Sequence, residues 1–278
     1  MNFKKIYLAF SVLFTLSFTS SFAQDWYVLH VSGNITNPAT NSVLQTGDMI
    51  NESTSLVFAD ASSKAIVIQK SKGKMLLDGS KSQKNADGEF MSMVSQVLFP
   101  VQVNKQMSTR RVTFGNANDI SKYFNGGSYV FMGDSVILEV DKLRYPLDEE
   151  RKMAVRFTSN NEPYNRWVPN YGTENQIIIE PTKLFDGVSL DSIDMVDVYY
   201  INMQNGKPSP KHVGSFHPVF VDETKLKQEL LSLKKFLVKY QDEKDQAVRE
   251  ELYQYVLDIY GKVDIEIFNQ WTKEMEII

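Results

Sequence analysis

The sequence predicts a mainly β protein with a C-terminal helical segment: a small β-module, an Ig-like antiparallel β-sandwich and about three helices. Short runs of β-branched and aromatic residues, punctuated by Gly, Asn, Asp and Pro, recur from Tyr27 to Phe216. From Asp222 onward the apolar period lengthens to that of helices. The chain is 42% hydrophobic and holds no cysteine, so its cores must be held by packing without disulfides.

The N-terminus reads as an export signal. Lys4 and Lys5 precede the uncharged apolar run Ile6 to Phe18, and Ser21 and Ala23 stand at the −3 and −1 places of a small-residue cleavage pattern. A membrane span needs about 20 apolar residues, and this run is shorter. Residues 1–23 are therefore expected to be a signal peptide, with Gln24 the mature N-terminus and a periplasmic or secreted destination. No transmembrane span is expected after its removal. With no cysteine there is no lipid-attachment residue. The formal net charge of −4 gives no basic footprint for nucleic acid.

Residues 24–80 form the first expected module. Tyr27–Val31 is a strand followed by the turn Ser32-Gly33-Asn34. Gly47-Asp48 suits tight turning inside Leu44 to Ile50. Leu56–Phe58, Ala65–Ile68 and Met75–Leu77 are further short strands, the last reached through Gly73. The order V-x-x-V-x-G, L-x-x-G-D, S-x-x-A-x-V-I and a Gly turn is carried by Val28, Val31, Gly33, Leu44, Gly47, Asp48, Ser62, Ala65, Val67, Ile68 and Gly73. This stretch resembles a FecR-like β-domain, over about a fifth of the chain. The resemblance implies an interaction module of the periplasm and brings no catalytic residue. The sequence departs from that family in lacking a cytoplasmic N-terminal tail, and a cleavable signal replaces the anchor. The whole chain is similar to uncharacterised exported proteins of Gram-negative bacteria.

Residues 81–125 read as a linker with short helices. Phe90, Val94, Val97 and Leu98 have helical spacing over Glu89 to Leu98, Arg110-Arg111 sits in a polar connection, and Asn118 or Asp119 caps a turn bearing Ile120, Tyr123 and Phe124. Residues 126–221 are the expected sandwich. Gly133-Asp134 predicts a hairpin between Tyr129–Met132 and Val136–Val140, and Asn160-Asn161-Glu162-Pro163 separates Ala154–Thr158 from Asn165–Val168. Residues 222–278 carry three apolar stripes. Leu226, Leu230, Leu233, Leu237 and Tyr240 follow the capping Asp222. Val248, Leu252, Tyr255, Val256 and Ile259 end at Gly261, and Phe268, Trp271 and Met275 follow Asp264.

No nucleophile elbow, zinc-helix motif, P-loop or EF-hand loop is present, and no cofactor is expected. His212 and His217 are an odd number apart, which on a regular strand puts them on opposite faces and argues against a metal site. Asp191, Asp194 and Asp197 are either turn and cap residues or a weak cation site. The segment PYNRWVPNYG offers Tyr164, Trp167 and Tyr171 as candidate partner-binding aromatics for a protein or a glycan. The alternative is that Trp167 packs inward, as strand rings usually do. The sequence thus points to a non-catalytic binding or scaffold protein of the envelope; the alternative is a hydrolase whose carboxylates meet only in the fold.

Overall fold

The computed structural model describes residues 25–84, 90–100, 120–171, 174–204, 206–241 and 244–278. The expected signal peptide, Gln24 and Arg110-Arg111 lie outside these residues. The protein is mainly β with C-terminal helices, as the sequence predicts. Its chain divides into two compact units, residues 1–101 and 102–278.

The first unit contains β1 (Trp26–Ser32), β2 (Ile35–Asn37), β3 (Ser42–Val43), β4 (Met49–Ile50), β5 (Ser55–Phe58), β6 (Lys64–Gln69), β7 (Gly73–Asp78), β8 (Gln83–Lys84), β9 (Phe90–Met93) and β10 (Leu98–Pro100). They form two five-stranded sheets, β10-β7-β6-β1-β4 and β3-β2-β5-β9-β8. Trp26, Val28, Ile35, Leu56, Phe58 and Val67 fill a shared core. The Gly47-Asp48 pair earns its place by clamping β1. Gly47, at φ +96°, donates to the Val28 carbonyl at 2.8 Å, and the Val28 amide donates to the Asp48 carbonyl at 2.9 Å. Asp48 also accepts from the Gln45 amide at 2.8 Å, which closes the turn.

The helix expected over Glu89 to Leu98 is a single turn, α1 (Val94–Val97), between two strands. β9 pairs with β5 and β10 pairs with β7. Val94 and Val97 are buried in either arrangement, so their spacing does not separate the two. Edge pairing satisfies backbone groups of β5 and β7 that an isolated helix would leave open, and it outweighs the local period.

The second unit contains β11 (Asn125–Phe131), β12 (Val136–Glu139), β13 (Arg151–Ser159), β14 (Glu162–Val168), β15 (Asn170–Tyr171), β16 (Gln176–Ile179), β17 (Val196–Gln204) and β18 (Lys207–Phe220). Short helical turns α2 (Ile120–Tyr123) and α3 (Pro181–Leu184) join them. The sheets β11-β18-β17-β13-β14 and β12-β16-β15 share one core, built on Tyr129, Phe131, Leu138, Phe157, Ile177 and Phe216. β13 and β14 make a hairpin through Asn160 (φ +50°) and Asn161 (φ +66°), the two left-handed residues of a tight turn. Pro163 is tolerated because β14 is the sheet's edge.

Two features depart from simple local pairing. Gly133-Asp134 does not close a hairpin: β11 runs parallel to β18, whereas β12 pairs with β16 in the other sheet. The turn moves the chain between sheets, and the Gly133 amide is held by Glu223 at 3.1 Å. In β18 the register slips so that Gly214 opposes Val198 while His212 opposes Tyr199, leaving Val213 as an extra residue. A side chain at Gly214 would put its Cβ 2.6 Å from the Phe124 carbonyl oxygen.

The C-terminal helices are α4 (Glu223–Phe236), α5 (Asp245–Ile259) and α6 (Ile265–Glu274). Asp222 accepts from the Lys225 amide at 3.1 Å and Asp264 from the Glu266 amide at 2.8 Å, so both expected caps form. Leu226, Leu230, Leu233, Leu252, Val256 and Phe268 are fully or almost fully buried. Glu229 is buried among them and accepts from the Tyr255 and Tyr260 hydroxyls at 3.0 and 2.6 Å. The segment between α5 and α6 docks on β11. The Lys262 amide donates to the Ser128 carbonyl at 2.9 Å, and the Val130 amide donates to the Lys262 carbonyl at 2.7 Å. The Lys262 ammonium donates to the Tyr123 carbonyl and lies 3.9 Å from that tyrosine's ring centroid. Among the described residues, no helix is long and apolar enough to cross a membrane.

Two outcomes follow from this packing. Leu230→Ala or Leu252→Ala should each lower the free energy of unfolding by about 2–5 kcal/mol in urea titrations. Burial pushes the Lys262 pKa down to about 8 from 10.5, with Asp264 opposing the shift. Between those values the unfolded chain binds the extra proton, so stability should rise with pH from about 8. Burial raises Tyr123, Tyr129, Tyr255 and Tyr260 above their ordinary value of 10.0, so their contribution is lost as pH climbs beyond 10. Urea midpoints measured from pH 7 to 11 should therefore pass through a maximum just below 10, and Lys262→Met should flatten the rising limb.

Candidate surface site on the outer sheet face

The face of the five-stranded sheet that points away from the core is organised in rows, because paired residues share a face. Trp167 on β14 pairs with Ala154 on β13, Ala154 with Tyr199 on β17, and Tyr199 with His212 on β18. On one side the next row is Asn165, Arg156, Asp197 and Ser215. On the other side lie Lys152, Ile201 and Pro210. A small floor between two aromatic residues leaves a groove of about 360 Å³, lined by Ala154, Asn165, Trp167, Tyr199, Ile201 and Pro210 among others.

Trp167 is 55% exposed, which corrects the reading that it packs inward. The hairpin register decides this: Tyr164 and Val168 point to the core side, so Trp167 points out. Tyr164, three residues before it, therefore belongs to the other face. Its ring stacks on Phe157 at 5.4 Å with an 11° interplanar angle, and the Arg166 guanidinium lies 5.2 Å from its centroid. Tyr171 is a residue of β15, and its side chain lies outside what the structure describes. The three aromatics of the sequence motif are thus not one patch. Trp167 instead joins residues from β13, β17 and β18 that sequence adjacency does not reveal.

The slip in β18 has a second effect. It restores the outward face after Val213, so His212, Ser215 and His217 all point away from the core, whereas regular alternation would have separated the two histidines. The Ser215 hydroxyl donates to Asp197 Oδ1 at 2.8 Å. His212 Nε2 is 3.3 Å from the same oxygen and 3.0 Å from Ser215 Oγ, and His217 Nδ1 is 2.6 Å from the Asp194 carbonyl. A serine nucleophile needs its imidazole base between hydroxyl and carboxylate, one nitrogen for each. Here one nitrogen meets both partners and the hydroxyl proton goes to the carboxylate. The triangle fixes Asp197 and leaves Ser215 unactivated.

Next to it lies a polar hollow of about 550 Å³, lined by Arg156, Thr158, Asn160, Asn161, Ser192 and Asp194 with Asp197 at its side. Arg156 lines both depressions, so groove and hollow adjoin at its side chain. Asp191, in the turn Leu190–Ser192, does not gather with Asp194 and Asp197. Among the described residues no group of three His, Asp or Glu side chains is arranged to hold a metal ion.

No protein-family model matches the chain, and no curated protein matches it.

Because Trp167 stands on the surface, Trp167→Ala should change the free energy of unfolding by no more than about 0.5 kcal/mol. Phe157→Ala, on the opposite face of the same hairpin, should cost about 3–5 kcal/mol. Paired urea titrations check the assignment of faces.

Proposed function

We propose that this is an exported, non-catalytic binding protein of the periplasm or cell envelope, and that it contacts a protein or glycan partner through the outward sheet face centred on Trp167. The observation that carries this reading is an exposed tryptophan set beside a groove with Tyr199, Ile201 and Pro210. Large aromatics in such positions supply contact area at low entropic cost and dominate recognition surfaces. The resemblance of residues 27–80 to a FecR-like β-domain supports an interaction module, and the signal-like N-terminus supports the destination. The alternative, an envelope hydrolase, would use Asp194 and Asp197 at the polar hollow. Asp197 is already engaged by Ser215 and His212, which favours a positioning role for it over acid–base chemistry.

A photo-crosslinking residue in place of Asn165, beside Trp167, tests the surface in cells. Capture should occur there and not from Ile137, an exposed position on the other sheet. Trp167→Ala should weaken that capture by more than about 1 kcal/mol. Mass spectrometry of the mature chain should find Gln24, or its cyclised form, at the N-terminus. Turnover of an envelope polymer that is abolished by Asp194→Asn would overturn the binding reading.

A further inference from the structure

The groove and the hollow differ in chemistry, and the difference names a ligand class. This step rests on the reading that the outward face is a binding surface. Trp167 and Tyr199 stand two strands apart, about 10 Å by ordinary strand spacing. The residue between them, Ala154, is too small to fill the gap. A ring held between two aromatic groups at van der Waals contact needs about 7–8 Å. Ala154 lines the groove while only 7% exposed, so a saturated or planar ring would lie at the mouth of this row with its C–H faces towards the aromatic groups.

Beyond that slot the lining changes. Arg156 can only donate, Asp194 and Asp197 only accept, and Asn160, Asn161, Asn165, Thr158 and Ser192 do both. A peptide backbone offers single-purpose amides and carbonyls in a fixed alternation. Sugar hydroxyls each donate and accept, and several project from every ring. One arginine faces two aspartates, so the hollow carries no excess positive charge to select an acidic chain. From groove to hollow the lining follows the outward residues of β13, Ala154, Arg156 and Thr158, on the sheet's face and not along the free edge of β14 where an added peptide strand would lie.

We infer that this face binds a neutral oligosaccharide, one pyranose ring lying between Trp167 and Tyr199 over Ala154 and the next reaching the amide and hydroxyl groups of the hollow.

The test uses the full mature chain and a panel of neutral tetrasaccharides built from hexoses and N-acetylhexosamines. Calorimetry is run at ligand concentrations up to about 10 mM, ten times a millimolar dissociation constant. Tryptophan emission gives a second readout, since Trp26 and Trp271 are buried and Trp167 is exposed. At least one sugar should bind and shift that emission to shorter wavelength. Trp167→Ala should weaken binding about tenfold or more, and Arg156→Ala and Asn165→Ala about threefold each, with melting midpoints unchanged. Filling the slot with Ala154→Leu should abolish binding while the far-ultraviolet circular dichroism is kept. Binding that is indifferent to Trp167→Ala overturns the site. If no sugar of the panel binds while a crosslinker at position 165 captures a protein, the glycan inference fails and the binding reading stands. If neither occurs, both fail.

Discussion

The second unit depends on an absence of volume at Gly214. The backbone of β18 passes so close to the turn ending at Phe124 that an added Cβ would lie 2.6 Å from one carbonyl oxygen and 3.3 Å from that of Ile120. In exchange the Ser215 amide donates to Phe124 at 3.1 Å. This approach lets Phe124 reach Phe216 at a 4.7 Å ring separation. It also aligns Tyr123 with Tyr129, whose hydroxyls meet at 2.7 Å inside the core. Both tyrosines keep their protons far into alkali because burial opposes the charged form.

The same position governs the outer surface. The slip at Val213 and Gly214 keeps Phe216 inward and turns His212, Ser215 and His217 outward together. Without it, His212 and Ser215 would fall on opposite faces, and Asp197 would lose one of the two groups that hold its carboxylate. If Ser215 and His217 kept their outward places, His212, whose ring meets Tyr199 edge-on at 5.3 Å, would leave the outward row. One glycine thus couples core packing on one side of the sheet to the arrangement of side chains on the other.

What the sequence made legible was local. The helix stripes and the caps Asp222 and Asp264 follow from spacing and side-chain chemistry within a few residues, and the structure places them where that logic says. Asn160-Asn161 likewise announces its own turn. The hairpin expected at Gly133-Asp134 failed because the glycine specifies a turn and not which strands will pair across it. Phe90 to Leu98 failed for a related reason, since Val94 and Val97 are buried in either conformation. In the candidate site, Trp167 was visible as a residue but not as an exposed one. Its neighbours Ala154, Tyr199 and Ile201 come from strands whose register is set by the whole sheet, and a slip of one residue would exchange their faces.

The pairing of Lys262 with Ser128 and Val130 bears on how this chain acquires its structure. β11 has β18 on one side, and on the other a bridge whose residue lies more than 130 positions further along. Closing contacts of such long separation carries an entropic cost that slows folding, and a chain made from its N-terminus meets them last. The first unit can be complete while the second still waits for its border. Until residue 262 is available, the Ser128 carbonyl and the Val130 amide of β11 lack the partners they have in the folded protein. The border of this sheet is therefore completed only when the segment between α5 and α6 has been made.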